Sequence, residues 1–246
     1  MSWFEEWFNS PLYEKLYANR DEGEAELLAK LIVKEIPPEN YPKILDLGCG
    51  RGRHSFALAN NDYNVTGTDL SPAAINKARK TADERGLEQI TFHIRDMREP
   101  LPETFHAIVN LFTTFGYFLD DEENLKVVKA VHQMLETGGR FMIDFLNAHK
   151  VRETLVPEES GTYGGLNYQI RRFIKNEMVH KEITFSGSSL SKPKTYRERV
   201  KLYDEEWFRN AFESCGFTVR NCWGDYKGSS FDEQSSPRLI LLAEKG

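Results

Sequence analysis

One stretch constrains this chain more than any other: a short apolar strand that runs straight into glycines, Ile44-Leu45-Asp46-Leu47-Gly48-Cys49-Gly50-Arg51-Gly52. Glycine lets the backbone pass close to a ligand with no Cβ in the way. A helix opening just after such a loop presents free N–H groups at its start. In an open α/β sheet, ligands sit at the carboxyl ends of strands, where the strand order reverses. Taken alone, the loop is equally well explained as a tight strand-to-helix turn, so its meaning depends on its company.

That company is a regular alternation. Residues 43–47, 64–69, 90–95, 107–112 and 140–145 read as five strands. Residues 55–59 suit the body of a helix, and Ser71-Pro72 opens another with a capping serine and a proline in its first turn. Gly86 closes that helix, and a further one over 120–135 is ended by Gly138-Gly139. Repeated strand–helix units imply an α/β fold, a mostly parallel sheet sandwiched by helices. Ahead of it, residues 1–40 form a helical cap with Trp3, Phe4, Trp7 and Phe8, then Tyr13 and Tyr17, then an amphipathic run over 22–36 stopped by Pro37-Pro38. The core spans 41–147. Beyond it the rhythm breaks: 168–174 and 179–185 flank a Lys175-Asn176-Glu177 turn, and 194–203 reads as a third antiparallel strand. Residues 148–203 are therefore an antiparallel β insertion, a lid on one domain. Residues 204–246 return to the core with a helix and two strands.

Three acids stand at consecutive strand ends. Asp46 lies beneath the glycine loop, where it can orient that loop or approach an ammonium group. Asp69 ends the second strand, where a carboxylate can accept both hydroxyls of a ribose. Asp96 ends the third, where it can accept an exocyclic amine while Met97 packs on a purine. This set suits a cationic nucleoside without phosphates. A dinucleotide loop has G-x-G-x-x-G spacing with a helix aimed at pyrophosphate; here the spacing is G-x-G-x-G. A nicotinamide-dependent dehydrogenase is the reading this spacing argues against.

The combination ILDLGCGRGRH, VTGTDLS, IRDMRE and LETGGRFMIDF resembles the class I S-adenosylmethionine-dependent methyltransferases over residues 40–147, and in outline over 204–246. The resemblance implies a Rossmann-like seven-stranded sheet whose last strand, 238–243, lies antiparallel beside the fifth. It implies S-adenosyl-L-methionine as cofactor, with Gly48, Cys49 and Gly50 along the methionine moiety, Asp69 on the ribose and Asp96 with Met97 around the adenine. His54 is expected near the cofactor carboxylate, Leu70, Leu111 and Phe112 in the cofactor walls, and Tyr13 and Tyr17 on a segment folded over it. The stretch 110–118 looks like the corresponding part of bacterial small-molecule N- and O-methyltransferases. It lacks the Asn/Asp-Pro-Pro-aromatic box of enzymes acting on exocyclic amines of DNA.

Methyl transfer from a sulfonium needs chiefly alignment, and a base only when the acceptor carries a proton that must leave. Tyr117, Asn147 and His149, which follow the fourth and fifth strands, are the catalytic candidates by position. A net charge of −6 repels a phosphate backbone, so a small-molecule acceptor is expected rather than nucleic acid, with a protein or RNA acceptor, or binding without catalysis, as alternatives. The basic residues of the insertion (Arg171, Arg172, Lys175, His180, Lys181, Arg197, Arg199) suit an anionic acceptor or cross-strand pairing with Glu177, Glu182 and Glu198. Three cysteines without paired spacing argue against a disulfide framework or zinc site. No apolar run reaches the roughly 20 residues that cross a bilayer, and the first residues lack a secretory pattern. A cytoplasmic address with no membrane partner is expected. The oligomeric state stays open.

Overall fold

The computed structural model describes residues 3–16 and 22–246, without the side chains of 3–5, 14, 15 and 22. Its main sheet takes β1 (Lys43–Leu47), β2 (Asn64–Asp69), β3 (Ile90–Ile94), β4 (Phe105–Asn110), β5 (Leu135–Leu146), β10 (Phe217–Trp223) and β11 (Arg238–Lys245), in the order β10-β11-β5-β4-β1-β2-β3. Strands β1 to β5 pair in parallel, and β11 pairs antiparallel with both β5 and β10. This is the Rossmann-like seven-stranded sheet anticipated above. The order reverses between β1 and β4, which puts the switch point at the end of β1.

Alternation along each strand divides the core between two faces. Ile44, Val65, Val109, Met142 and Ile240 point to one side, where they pack on α3 (Glu22–Glu35), α4 (Arg53–Ala59) and α5 (Pro72–Arg85). Leu45, Ile108, Ile143, Phe145 and Leu241 point to the other, against α6 (Asp121–Met134) and α8 (Glu205–Ser214). The near-continuous apolar runs of β1, β4, β5 and β11 follow from burial on both faces. At the start of β4, His106 lies at the margin: its Nδ1 accepts from Lys43 N at 3.1 Å.

A second, four-stranded antiparallel sheet holds β6 (Glu158–Tyr163), β7 (Leu166–Lys175), β8 (Met178–Ser186) and β9 (Lys194–Lys201) in sequential order. One face of it packs Leu166, Ile170, Ile183 and Phe185 on Trp7 and Leu12, from α1 (Trp3–Phe8) and α2 (Pro11–Leu16). The Lys175-Asn176-Glu177 turn is the β7–β8 hairpin, with Asn176 and Glu177 at positive φ.

Beside a two-residue shift of β4, which runs over Phe105–Asn110 rather than 107–112 and leaves Phe112 in the loop, the structure departs from the sequence reading in three places. Strand β6 was not anticipated, because Glu-Glu-Ser-Gly-Thr-Tyr has no apolar alternation; it is an exposed edge. Strand β5 starts at Leu135 rather than 140, directly after α6, because Leu135 pairs with Phe105 ahead of the bulge. A helix, α7 (Ala148–Thr154), follows β5 where only a loop was expected.

Candidate cofactor and acceptor site

The glycine loop leaves β1 at the switch point with Gly48, Gly50 and Gly52 at φ of 81°, 56° and 83°. Its first two amides, Gly48 N and Cys49 N, donate to Thr68 O at 2.8 and 2.9 Å and tie the loop to the end of β2. A Cβ at Gly48 would lie 2.8 Å from Thr114 Oγ1, whereas at Gly50 it would meet open space. Backbone at Gly50 is thus bare toward the cavity.

Asp69 organises this corner. Gly50 N donates to its Oδ2 at 2.9 Å and Ser71 N to its Oδ1 at 2.8 Å. Burial pushes its carboxyl above the usual range, tempered by the N–H groups of Ser71 and Gly50. Asp46 sits behind the loop, 1% exposed, and accepts from Ser55 Oγ at 2.6 Å. Burial pushes it up to about 6, with the neighbouring Asp69 charge acting in the same direction and the Ser55 hydroxyl opposing.

The loop opens on a cavity of 840 Å³, within the size range of small-molecule sites. Of the residues singled out in the sequence, Tyr13, Gly48, Cys49, Gly50, His54, Asp69, Leu70, Asp96, Met97, Leu111, Phe112 and Tyr117 all line it. Asp46 does not, and its buried place suits it to shaping the loop rather than to touching a ligand. Tyr17 lies outside the described residues. Asp96 reaches the wall already engaged: Arg98 donates through Nε to Oδ1 at 3.0 Å and through Nη2 to Oδ2 at 2.6 Å. Burial would raise its pKa, but these bonds outweigh it and hold the carboxyl below the usual range.

Asn147 and His149 do not join this cavity. Asn147 is 2% exposed and caps α7, its Oδ1 accepting from His149 N and Lys150 N at 3.0 and 3.4 Å. Its Nδ2 donates to Glu233 O and Ser236 O. His149 Nε2 lies 3.2 Å from Glu153 Oε1, and both Asn147 and His149 line a separate 200 Å³ recess. An asparagine ahead of Ala-His-Lys-Val-Arg-Glu is a helix-cap signal that would have revealed α7. That helix carries the chain away from the strand ends.

One part of the wall escaped sequence reasoning. Asp144, fully buried near the end of β5, accepts from Phe112 N at 2.9 Å, Tyr226 Oη at 2.9 Å and Arg238 Nε at 2.8 Å. Its carbonyl accepts from Thr113 N, and Arg238 Nη2 donates to Thr113 Oγ1, both at 2.9 Å. These bonds hold Phe112 and Thr113 at φ of 57° and 61°, a left-handed conformation costly for a β-branched residue. Phe112, Thr113 and Arg238 all face the cavity, with the Arg53 and Arg238 guanidinium carbons 4.7 and 5.8 Å from the Phe112 ring centroid. The residues of this network come from β5, β11 and two loops, so no local motif announces it.

Three of the seven basic residues noted in the insertion are taken up by pairing with carboxylates of the same sheet. Arg197 bonds Glu182 at 3.2 Å and Arg172 bonds Glu159 at 2.6 Å, while Lys181 stands 3.6 Å from Glu198 directly opposite. Glu177 pairs with Arg152.

A methyltransferase-domain family matches residues 39–187. The chain is 30% identical over 202 residues to a cypemycin N-terminal methyltransferase of Streptomyces, covering 81% of this chain and 82% of that protein. Its fold superposes with a TM-score of 0.81 on an S-adenosylmethionine-dependent methyltransferase from Clostridium acetobutylicum, at 20% identity and 96% coverage of both chains. It superposes at 0.71 on an amino pentose methyltransferase from Micromonospora echinaspora, solved with S-adenosylmethionine bound, at 21% identity over 96% of this chain and 98% of that one. The bare backbone at Gly50, the Asp69 carboxylate and the cavity volume fit that cofactor. The switch-point glycine loop, the seven-stranded sheet and these matches agree: the chain belongs to the class I S-adenosylmethionine-dependent methyltransferases.

Proposed function

We propose that this methyltransferase acts on the nitrogen or oxygen of a small-molecule acceptor. The observation that carries the reading is one continuous cavity, walled by the glycine loop, Asp69 and Asp96 together with Phe8, Tyr13, Tyr117 and Glu198. Gly48, Cys49 and Gly50 border the methionine moiety, Asp69 holds the ribose hydroxyls, and Asp96 with Met97 frames the adenine. His54 and the side chains of Leu70, Leu111 and Phe112 complete that half. Tyr13 and Tyr117 face the acceptor.

When bound, S-adenosylmethionine supplies a methyl group already activated on a sulfonium. The work left to the chain is alignment and exclusion of water. The ring faces of Phe8, Tyr13 and Tyr117 suit a positive centre. The strained Phe112–Thr113 turn sets one wall through Asp144 and Arg238. We assign residues 148–203 as a lid: Lys201 N donates to Gly116 O at 2.9 Å, and Glu198 and Val200 reach the cavity. The likeness to an amino pentose methyltransferase supports a small-molecule acceptor. Neither Asn147 nor His149 has a part in this arrangement.

Calorimetry tests the cofactor half: S-adenosylhomocysteine should bind at micromolar strength or tighter, while NAD should not. Incubating the protein and labelled S-adenosylmethionine with a whole-cell extract, then separating metabolites from RNA and protein, tests the acceptor half. Label found only in RNA or protein would overturn the small-molecule reading.

A further inference from the structure

S-adenosylmethionine carries a single anionic group, the α-carboxylate of its methionine moiety. The acids at the strand ends, Asp46, Asp69 and Asp96, are unsuited to receive it, because like charges in one site repel. A guanidinium is built into the wall instead. Arg238 opens β11, whose antiparallel register on β5 sets it across from Leu146, and its side chain lines the cavity.

Arg238 is held along one edge. Its Nε donates to Asp144 Oδ1 at 2.8 Å and its Nη2 to Thr113 Oγ1 at 2.9 Å. These N–H groups belong to the side edge of the planar fork. Its end edge, Nη1 with the other N–H of Nη2, donates to no protein group among the described residues. Asp144 is itself fixed by Phe112 N and Tyr226 Oη, so the fork is kept in one orientation. Glu24, another acid of this corner, approaches Arg53 Nη1 at 3.9 Å and makes no ion pair with Arg238. The Phe112 ring shows where along the cavity the fork lies. Its centroid is 4.7 Å from the Arg53 guanidinium carbon, 5.8 Å from that of Arg238 and 6.2 Å from the His54 ring. Arg53 and His54 open α4 directly after the glycine loop. Arg238 therefore stands at the glycine-loop end of the cavity.

We propose that the end edge of Arg238 receives the α-carboxylate of the cofactor's methionine moiety, so that β11 supplies a cofactor-binding residue from outside the βα units. The proposal rests on the placement of that moiety along the glycine loop, given above. Asp144 offsets much of the Arg238 charge, so recognition here is chiefly geometric: a guanidinium edge matches the two oxygens of a carboxylate in a bidentate pair. Arg53, on the same Phe112 ring, adds positive potential.

The full-length protein is titrated in a calorimeter with S-adenosylmethionine and with its decarboxylated form, two ligands that differ only in the carboxylate. The parent is expected to bind the carboxylate form at least about tenfold more tightly. Arg238→Gln leaves Asp144 the Phe112 amide and the Tyr226 hydroxyl as donors. It should weaken S-adenosylmethionine about tenfold and leave the decarboxylated ligand within about twofold of the parent. Equal weakening of both ligands makes Arg238 a support for Phe112 only, which overturns the proposal. Unchanged affinity for both overturns it too, and leaves the fork to a carboxylate on the acceptor. If Arg238→Gln does not fold, Arg238→Lys keeps a charge opposite Asp144 but replaces the fork with a point charge. It should weaken S-adenosylmethionine alone, by about three- to tenfold; a loss shared by both ligands, or no loss, overturns the proposal. Failure of the parent to bind either ligand is a different result, which removes the cofactor placement on which the proposal rests.

Discussion

Replacing Asp144 with asparagine is the sharpest probe of how this site is held. The side chains have the same shape, but one acceptor oxygen becomes a donor amide. If the amide nitrogen faces Arg238, the Nε–H loses its acceptor; if it faces the other way, the Phe112 N–H does. Tyr226 can rotate its hydroxyl to accept instead, but the backbone amide cannot. At least one donor is therefore left without a partner at a fully buried position, which costs about 1–3 kcal/mol. Arg238, 21% exposed and pointing into the cavity, also loses its counter-charge. Together these amount to about 3 kcal/mol, or a fall of roughly 6–12 °C in Tm for a chain of this size. The Phe112–Thr113 turn, strained by about 1–3 kcal/mol per residue, is then free to relax. Phe112 would leave the wall, weakening S-adenosylhomocysteine about tenfold, the equivalent of about 1.4 kcal/mol. Thermal melting and calorimetry on the same preparation read both effects. A variant that melts within about 1 °C of the parent and binds S-adenosylhomocysteine unchanged would refute the reasoning.

Asp46 makes a pH prediction. Its folded pKa of about 6 lies above the ordinary 3.8, so the folded state holds the proton more tightly. Its contribution to stability is full below about pH 4 and is lost as pH rises through about 6; at neutral pH the deficit is on the order of 3 kcal/mol. Acidification from pH 7 to pH 5 should therefore raise the Tm of the parent relative to Asp46→Asn, and parallel pH profiles of the two proteins would contradict this. Gly67→Ala places a Cβ 2.6 Å from Phe92 Cδ1 and 3.0 Å from Cys49 Sγ, and should destabilise by about 1–3 kcal/mol in denaturant melts. Asp69→Ala removes the acceptor of Gly50 N and Ser71 N as well as the proposed ribose contact; calorimetry should show S-adenosylhomocysteine weakened about 10- to 100-fold. An affinity within twofold of the parent would take Asp69 off the ribose.

The sequence by itself determined the sheet that carries the cofactor and the side chains nearest to it. Each βα unit is a local object: apolar strand, turn glycine, capping serine and amphipathic helix lie within about 25 residues, and Asp69 and Asp96 are placed by where their strands stop. Eleven site residues legible at the strand ends, from Gly48 to Tyr117, line the cavity for that reason. Tertiary structure alone decided the rest of the wall. Asp144 meets Arg238 because β11 runs antiparallel to β5 and meets Phe112 because β4 lies parallel beside β5, and β9 brings Glu198 to Trp7 from 191 positions away. Such contacts depend on register between distant strands, which no local pattern encodes. Asn147 and His149 show the converse: both stand beside a strand end in sequence, yet the α7 cap spends the asparagine on backbone amides and turns the histidine to another recess. Adjacency along the chain foretells a site only while the next element continues toward it.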